Sequence, residues 1–381
     1  MKRSRIVYFL FLFSGITALI YEVVWTRMLT LAFGHTVFSV SIVLASFMAG
    51  LGFGSYFSGH AINHIGGKKT QSDSSSLSKE FSEDLETSSL LLIYGWIEIA
   101  LFLLCLIVSL ILFKFSVIYS WFSFFVPESI VVQNIFKSFL AFILMFVPAS
   151  LMGATLPIIS QYYITDNIKL DARLGLLYGI NTFGAALGCL LTGFFLIANF
   201  GVLQTVLAAT VLNLFVGISA IRIYQESLES SKGLHFPRFT IPKISLERGQ
   251  WLWIVVSFVC GFTALSYEVL WTRLLIFSTS STVYSFSMML GVFLIGIALG
   301  SFLVVFVFRS SLNLRTVLIL LQAVIGLYVI GSLYTMEQLL STPWNSYNLQ
   351  KPFFVFSRYF ADSSALMLLP TIALGMSFPI L

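Results

Sequence analysis

Long apolar runs dominate this sequence. About ten of them have roughly 20 predominantly apolar residues, which is the length that an α-helix needs to cross the hydrocarbon core of a bilayer. Only 10% of the 381 residues are charged, against about 25% in soluble globular domains. The runs predict an all-α polytopic membrane protein with about ten transmembrane helices. The predicted spans are 6–33, 36–62, 89–113, 134–164, 172–198, 202–223, 250–277, 282–308, 313–335 and 359–381.

One stretch of the sequence occurs twice. Residues 15–55 begin GITALIYEVVWTRML, and residues 261–301 begin GFTALSYEVLWTRLL; the two copies align without a gap. Each copy keeps a carboxylate and a guanidinium inside an apolar run, where a charge costs a few kcal/mol unless it faces protein or water. The identical positions include Tyr21, Glu22, Trp25, Thr26, Arg27, Thr36, Ser39, Gly50, Gly54 and Ser55, which return as Tyr267, Glu268, Trp271, Thr272, Arg273, Thr282, Ser285, Gly296, Gly300 and Ser301.

The similarity continues beyond the first two spans of each copy. PASLMGATLP at 148–157 returns as PTIALGMSFP at 370–379, and the stretch around Glu98 returns around Gln322. Two sequence-related halves in the same orientation are the pattern of major facilitator transporters. The sequence therefore predicts a first repeat of six spans at 1–223, a cytoplasmic linker at 224–249, and the first four spans of a second repeat at 250–381. We expect the second repeat to be truncated, because the sequence ends within an apolar span.

The distribution of basic residues predicts the orientation. With the N-terminus in the cytoplasm, fifteen of the 21 Lys and Arg residues fall in cytoplasmic segments and four in external ones, as the positive-inside rule requires. The expected location is the inner (plasma) membrane. The Ser-rich, charged residues 68–89 are expected to form a mobile cytoplasmic loop.

The intramembrane polar residues are the candidate site. Glu22 has Trp25 and Thr26 on its own helical face, whereas Arg27 lies five residues on, about 140° around the helix. One interpretation is that Glu22 pairs with Arg273 and Arg27 with Glu268 as buried ion pairs; the alternative is a ligand or ion pathway. The candidate residues are Tyr21, Glu22, Trp25, Arg27, Glu98, Tyr267, Glu268, Trp271 and Arg273.

Other classes of site have little support in the sequence. The three cysteines all lie in apolar spans, which argues against a disulfide framework, and the four histidines lack metal-ligand spacing with cysteine. The Gly-rich stretches at 50–54 and 296–300 lie inside apolar helices, so neither is a dinucleotide-binding loop. We therefore predict no catalytic residue, no metal, no cofactor and no nucleic-acid partner. The oligomeric state stays open.

Four segments carry a family resemblance. SGITALIYEVVWTRML, FMAGLGFGSYFSG, PASLMGATLPIIS and GLLYGINTFGAALGCLLTGFFLI resemble the transmembrane portion of membrane-bound spermidine synthase-like proteins. That family is described as a fusion of a major facilitator-like part with a spermidine synthase-like part. The resemblance covers nearly the whole chain. It implies a soluble Rossmann-like methyltransferase-type domain after the spans, and no such domain is present in these residues.

The resemblance implies two functions for this chain. In the first, the spans handle or transport polyamines or related small molecules, with Glu22, Glu268 and Glu98 contacting a cationic amine. The rings of Tyr21, Trp25, Tyr267 and Trp271 would then supply cation–π contacts. In the second, the spans anchor a downstream aminopropyltransferase domain. The lipid bilayer is the expected partner in both cases.

Overall fold

The computed structural model describes residues 2–34, 36–66, 76–122, 124, 129–163, 170–228, 250–279, 281–308, 313–341 and 352–380. These ranges are helical almost throughout and contain no strand. A π-helical turn at Thr192–Leu196 joins α6 to α7. The helices are α1 (Lys2–Phe33), α2 (Thr36–Gly66), α3 (Ser76–Phe113), α4 (Phe115–Phe122), α5 (Ile130–Tyr163), α6 (Leu170–Leu191), α7 (Ile197–Leu228), α8 (Gln250–Thr279), α9 (Thr282–Phe308), α10 (Leu314–Ser341) and α11 (Pro352–Ile380).

Nine helical segments in the described ranges are long and apolar enough to cross a membrane. The all-α, multi-span class predicted from the apolar runs is therefore confirmed. The segments are Arg5–Phe33, Phe38–Ala61, Ser89–Phe113, Ile130–Tyr162, Gly175–Glu226, Trp251–Ile276, Thr282–Val304, Leu314–Ser332 and Phe356–Phe378.

The fifth segment accounts for the difference between nine segments and ten predicted spans. Gly175–Glu226 has 52 residues and contains both predicted spans at 172–198 and 202–223. As an unbroken helix it would be roughly 78 Å long at about 1.5 Å per residue, more than twice the hydrocarbon thickness of about 30 Å. Gly201, with φ 79° and ψ 173°, interrupts the helical backbone between the two predicted spans. A side chain with a Cβ rarely adopts this conformation, so glycine is the residue that fits the break.

Three helical regions differ from the prediction. The predicted mobile loop at 68–89 is wrong from Ser76 onwards, because α3 begins there; residues 67–75 lie outside the described ranges. Residues 76–88 contain three Glu, two Leu and one Lys, which favour helix, so the Ser-rich composition misled the prediction. The short helix α4 was not predicted. Helix α11 begins seven residues before its predicted span, at Pro352, a residue type that suits the first turn of a helix. Residues 229–249 of the predicted linker also lie outside the described ranges.

The chain divides into two compact units. The first contains Met1–Thr17, Ser41–Leu174 and Val206–Ser245, and the second contains Ala18–Val40, Gly175–Thr205 and Leu246–Leu381. The division therefore differs from the predicted sequence halves. Helix α1 contributes residues to both units, and the two copies of the Tyr-Glu motif, at 21–22 and 267–268, both belong to the second unit.

Helices α2 and α5 pack closely in the first unit. A Cβ on Gly54 would collide with the carbonyl group of Ser150, and a Cβ on Gly153 would collide with the backbone of Leu51. The Ser55 hydroxyl donates a hydrogen bond of 2.8 Å to the carbonyl oxygen of Gly153. Small residues allow two backbones to approach this closely, which favours helix association in lipid.

Helices α3 and α7 form a second close contact in the first unit. A Cβ on Gly95 would meet Ile221 at 2.7 Å, and a Cβ on Gly217 would meet Ile99 at 2.8 Å. Residue numbers rise along α3 as they fall along α7, so the two helices run antiparallel here. The two glycines therefore determine the height at which α7 packs against α3, close to the turn of α3 that carries Glu98.

Helices α9 and α11 pack in the second unit as α2 and α5 do in the first. A Cβ on Gly300 would collide with the carbonyl oxygen of Ile372, and one on Gly375 would collide with the backbone of Ile297. The Ser301 hydroxyl lies 3.4 Å from the carbonyl oxygen of Gly375. These five residues occupy the positions in the second copy of the repeat that correspond to the contacts just described between α2 and α5.

Helix α9 also packs against other helices of the second unit. A Cβ on Gly193, in the π-helical turn, would collide with Ser287 of α9, and one on Gly291 would meet Leu190 of α6 at 2.6 Å. The ring of Trp271 on α8 lies 6.5 Å from that of Phe293 on α9. The central stretch of α9 therefore contacts both α6 and α8.

Candidate functional site

The repeated acids Glu22 and Glu268 are both buried in the second unit. Their side chains are 2% and 1% exposed. Thr26 donates a hydrogen bond of 2.7 Å to the backbone carbonyl of Glu22, and Thr272 donates one of 2.8 Å to that of Glu268. Because these threonines bond to backbone oxygens, the carboxyl groups of both acids remain available for other partners.

Each acid has an aromatic pair beside it on its own helix. Tyr21 and Trp25 stack with ring centroids 5.5 Å apart and planes 28° apart, and Tyr267 and Trp271 stack at 5.4 Å and 25°. The i, i+4 spacing brings the two rings of each pair together on one helical face. Three of the four side chains are buried and Tyr267 is half-buried. The predicted aromatic groups therefore lie in equivalent arrangements on α1 and α8.

The predicted ion pairs are not formed in the part of the chain that the structure describes. The one salt bridge there joins Arg358 to Asp362, four residues apart on α11, at 2.9 Å. Arg273 is exposed and Arg27 is half-buried. Among the described residues, salt bridges between the two copies therefore do not balance the repeated charges.

One carboxyl oxygen of each acid has no hydrogen-bond partner among the described residues. These are Oε1 of Glu22 and Oε2 of Glu268. Both acids are buried in the second unit, and neither makes a salt bridge among the described residues. Such an arrangement costs several kcal/mol if both acids are ionised and nothing neutralises them.

Helix α9 packs beside the acid-bearing stretches of both α1 and α8. Val23 and Thr26, which flank Glu22 on α1, line a cleft together with Phe286 of α9. Trp271, three residues after Glu268 on α8, contacts Phe293 of the same helix. Both acids are therefore held by residues that pack against one stretch of α9, which itself carries no charged residue.

Cys189 and Ser287 make a buried contact in the second unit, and neither was a candidate in the sequence. The Cys189 thiol on α6 donates to the carbonyl oxygen of Ser287 on α9 over 3.3 Å. The hydroxyl oxygen of Ser287 is buried and has no partner among the described residues. Both residues are uncharged and lie in apolar spans, so the sequence alone suggests only a packing role for them. Ser287 is identical to Ser41 at the equivalent position of the first copy, and this identity is the sequence signal that could have identified it.

A small cleft adjoins the Glu22 turn of α1. It offers about 10 Å³ to water-sized molecules, roughly the space of one water molecule. Arg27 lines this cleft, so its guanidinium borders the same part of the second unit as Glu22 without pairing with it. The lining residues are Val23, Thr26, Arg27, Thr30, Val40, Thr282, Val283 and Phe286.

Glu98 lies in the first unit, in a different environment. It is fully buried on α3, and the Ser14 hydroxyl of α1 donates to its Oε1 at 2.5 Å. The Tyr94 hydroxyl, one turn earlier on α3, lies 3.4 Å from the carbonyl oxygen of Leu10 on α1. Its Oε2 has no partner among the described residues. Glu98 therefore belongs to the first unit, whereas Glu22 and Glu268, which the sequence grouped with it, belong to the second.

Gln322, the counterpart of Glu98 in the second copy, has a different partner. Its side-chain nitrogen lies 3.3 Å from the hydroxyl oxygen of Ser377 on α11. The two copies therefore differ both in charge and in the helix that supplies the partner at this position.

The described residues contain no group of three or more His, Cys, Asp or Glu side chains that could hold a metal ion. Comparisons with protein-family models, with curated proteins and with solved structures find no match to this chain. The functional argument therefore depends on the geometry of the buried acids and on the sequence.

Proposed function

We propose that this protein binds small cationic molecules at Glu22 and Glu268 and moves them across the membrane. The observation that carries the proposal is the burial of these two acids, both in the second unit, with one unpartnered oxygen each among the described residues. A cation that enters this region gains two carboxyl groups of opposite charge and offsets their cost of burial. Buried ionisable groups in membrane spans are the usual markers of such pathways.

The chemistry of the region favours an organic amine. An ammonium group can donate hydrogen bonds to the carboxylates, and the alkyl carbons of the amine suit the apolar surroundings. Trp25 and Trp271 supply the type of ring that makes the strongest cation–π contacts. Two acids match a molecule with two or more ammonium groups, such as the polyamines that the family resemblance implies.

The proposed architecture is a pair of parallel major facilitator-like repeats, the second represented by its first four spans. The sequence repeat supports it, as do the equivalent contacts of Gly54 with α5 and of Gly300 with α11. The proposed orientation places the N-terminus in the cytoplasm of a cell with this protein in its inner (plasma) membrane, on the strength of the Lys and Arg distribution.

The alternative function is a membrane anchor for a spermidine synthase-like aminopropyltransferase domain. The observation that favours it is the resemblance of nearly the whole chain to the transmembrane portion of such fused proteins. An anchor needs no cation site, so the two functions predict different roles for Glu22 and Glu268.

Reconstitution of the protein into liposomes separates the two functions. Vesicles preloaded with unlabelled spermidine should accumulate labelled spermidine in a saturable way. We expect Glu22→Gln and Glu268→Gln to abolish this accumulation. Glu226→Gln, a substitution of an exposed acid at the end of α7, is the matched control and should keep it. Folding of each variant is checked by its elution profile and melting temperature in detergent.

Two outcomes would contradict the transport proposal. Accumulation that is unchanged by both substitutions would exclude these acids as the pathway. Absence of accumulation by the folded wild-type protein would favour the anchor instead.

A further inference from the structure

We propose that helix α4 lies in the membrane–water interface and that Lys114 and Lys137, beside it, bind the phosphate group of an anionic phospholipid. These residues all belong to the first unit. The proposed transport of cations assigns no role to them, so the lipid site and the cation site are independent of each other.

Span lengths place α4 at the level of the lipid headgroups. The preceding span, Ser89–Phe113, has 25 residues and is about 37 Å long as a helix, which exceeds the hydrocarbon thickness of about 30 Å. A turn at Lys114, whose carbonyl oxygen accepts from the amides of Val117 and Ile118, separates this span from α4. The next span, Ile130–Tyr162, has 33 residues and is about 50 Å long, so its first turns also extend beyond the hydrocarbon core.

Three stripes of different chemistry run along α4, each an i, i+4 pair. In order around the helix, the pairs are Phe115 with Tyr119, Ser116 with Ser120, and Val117 with Trp121. The first pair is buried against the protein, whereas the serine pair and the apolar pair are exposed. A helix at the interface has this pattern, because one face meets the protein, one meets water and one meets acyl chains. Trp121 is 75% exposed, and tryptophan is enriched at membrane–water interfaces.

The two lysines lie over aromatic rings beside α4. The Lys114 ammonium group is 5.7 Å from the centroid of the Phe113 ring. The Lys137 ammonium group, on α5, is 4.4 Å from the centroid of the Tyr119 ring. The ring of Phe136 lies 6.4 Å from that of Tyr119, so the first part of α5 packs against α4. Cation–π contacts therefore hold both ammonium groups beside α4, and their N–H groups are left to donate to a phosphate.

The charge of this surface favours a lipid with net negative charge. Neither lysine makes a salt bridge among the described residues. Glu128, the one acid in the sequence between Glu98 and Asp166, lies outside the described ranges. A zwitterionic headgroup brings its own cation, which competes with the lysines for the phosphate, whereas an anionic headgroup leaves its negative charge to them. Each basic residue near the surface contributes about fivefold to the affinity for anionic lipid.

Competition between two lipids measures the lipid site. The detergent-purified protein is equilibrated with equal amounts of phosphatidylglycerol and phosphatidylcholine, and native mass spectrometry counts the molecules of each that stay bound. We expect the wild-type protein to retain more phosphatidylglycerol. Lys114→Gln and Lys137→Gln should each reduce this preference about fivefold, and the double variant should remove most of it. The elution profile and melting temperature of each variant check that it folds.

Two further variants are the controls. Arg315→Gln removes an exposed cation at the start of α10 and should keep the preference. Glu128→Gln removes the acid that could compete for the lysines and should keep or strengthen it. A wild-type protein without the preference, or a control variant that loses it as the lysine variants do, would overturn the lipid site.

Fluorescence quenching tests the position of α4 separately. Trp121→Cys and Ser120→Cys are labelled with the same fluorophore and reconstituted into vesicles, and the labelled wild-type protein measures the background from the native cysteines. Brominated acyl chains should quench the label of Trp121→Cys more strongly, and aqueous iodide that of Ser120→Cys, because the two positions lie on different stripes. Quenching of both labels by iodide, with none by brominated lipid, would show that α4 lies in water and would overturn its placement at the interface.

Discussion

The hydroxyl group of Ser14 on α1 donates a 2.5 Å hydrogen bond to Oε1 of Glu98 on α3. The two residues are far apart in the sequence, and both are buried in the first unit. The bond gives a polar partner to one oxygen of an acid that is otherwise surrounded by apolar spans. It also ties the first turns of α1 to the middle of α3.

Ser14→Ala should destabilise the protein by about 1–3 kcal/mol, because it leaves a buried acceptor without its donor. The measurement is thermal or denaturant unfolding in detergent. Ser120→Ala is the control, since Ser120 is exposed on α4 and should change the stability little. An unchanged unfolding midpoint for Ser14→Ala would show that the hydrogen bond contributes nothing to stability.

Gly54→Ala and Gly300→Ala should each destabilise the protein by about 1–3 kcal/mol through overpacking. Each added methyl group would collide with a backbone carbonyl of the facing helix, that of Ser150 or of Ile372. Melting curves in detergent provide the comparison.

Two other glycines serve as matched controls for these substitutions. Gly52 on α2 and Gly326 on α10 have open space where a Cβ would be. Their replacement by alanine should stabilise the helix by up to about 1 kcal/mol, since alanine is the better helix former. Equal effects at all four glycines would argue against close helix packing at Gly54 and Gly300.

Cysteine labelling tests the proposed orientation. Ser116→Cys, in an exposed position at the start of α4, should react with a membrane-impermeant thiol reagent added to intact cells. Ser75→Cys, in the segment assigned to the cytoplasm, should react only after the cells are opened. The native cysteines lie within spans, and the wild-type protein measures their background reaction. Labelling of Ser75→Cys in intact cells would reverse the assigned orientation.

A double-mutant cycle on stability tests which groups interact with Glu22. We expect the effects of Glu22→Gln and Glu268→Gln on unfolding to be non-additive, because the proposed function places both carboxyl groups at one cation site. The effects of Glu22→Gln and Arg273→Gln should be additive within about 0.5 kcal/mol, since no salt bridge joins these residues. Strong coupling to Arg273 would restore the ion-pair interpretation.

The sequence predicted the helical class and most helix positions well. Apolar length alone located the spans, and α9 begins and ends at the predicted residues 282 and 308. Gly201 lies between the fifth and sixth predicted spans, as their separation required. The prediction failed at residues 76–88, where a polar composition concealed helix that continues into the third span.

The candidate site was predicted only in part. The repeated motif identified Glu22 and Glu268 because a charge is conspicuous in an apolar run. Spacing along one helix, however, does not determine which residues of another helix it meets, so the sequence suggested pairing of Glu22 with Arg273, which the described residues do not show. Ser14, Cys189 and Ser287 carry no charge and were not recognised, although Ser14 donates to Glu98 and Cys189 donates to the carbonyl oxygen of Ser287.

The central claim is that Glu22 and Glu268 act together as one cation site, and ligand-induced stabilisation tests it most directly. A ligand that binds only the folded state raises the melting temperature in proportion to the free energy of binding. Melting of the wild-type protein, both single Gln variants, the double variant and Glu226→Gln would be measured with and without spermidine. The account predicts that spermidine clearly raises the melting temperature of the wild-type protein and of Glu226→Gln. It predicts that both single Gln variants and the double variant lose this increase to the same extent. Retention of the increase in either single variant, or independent losses that add in the double variant, would contradict it.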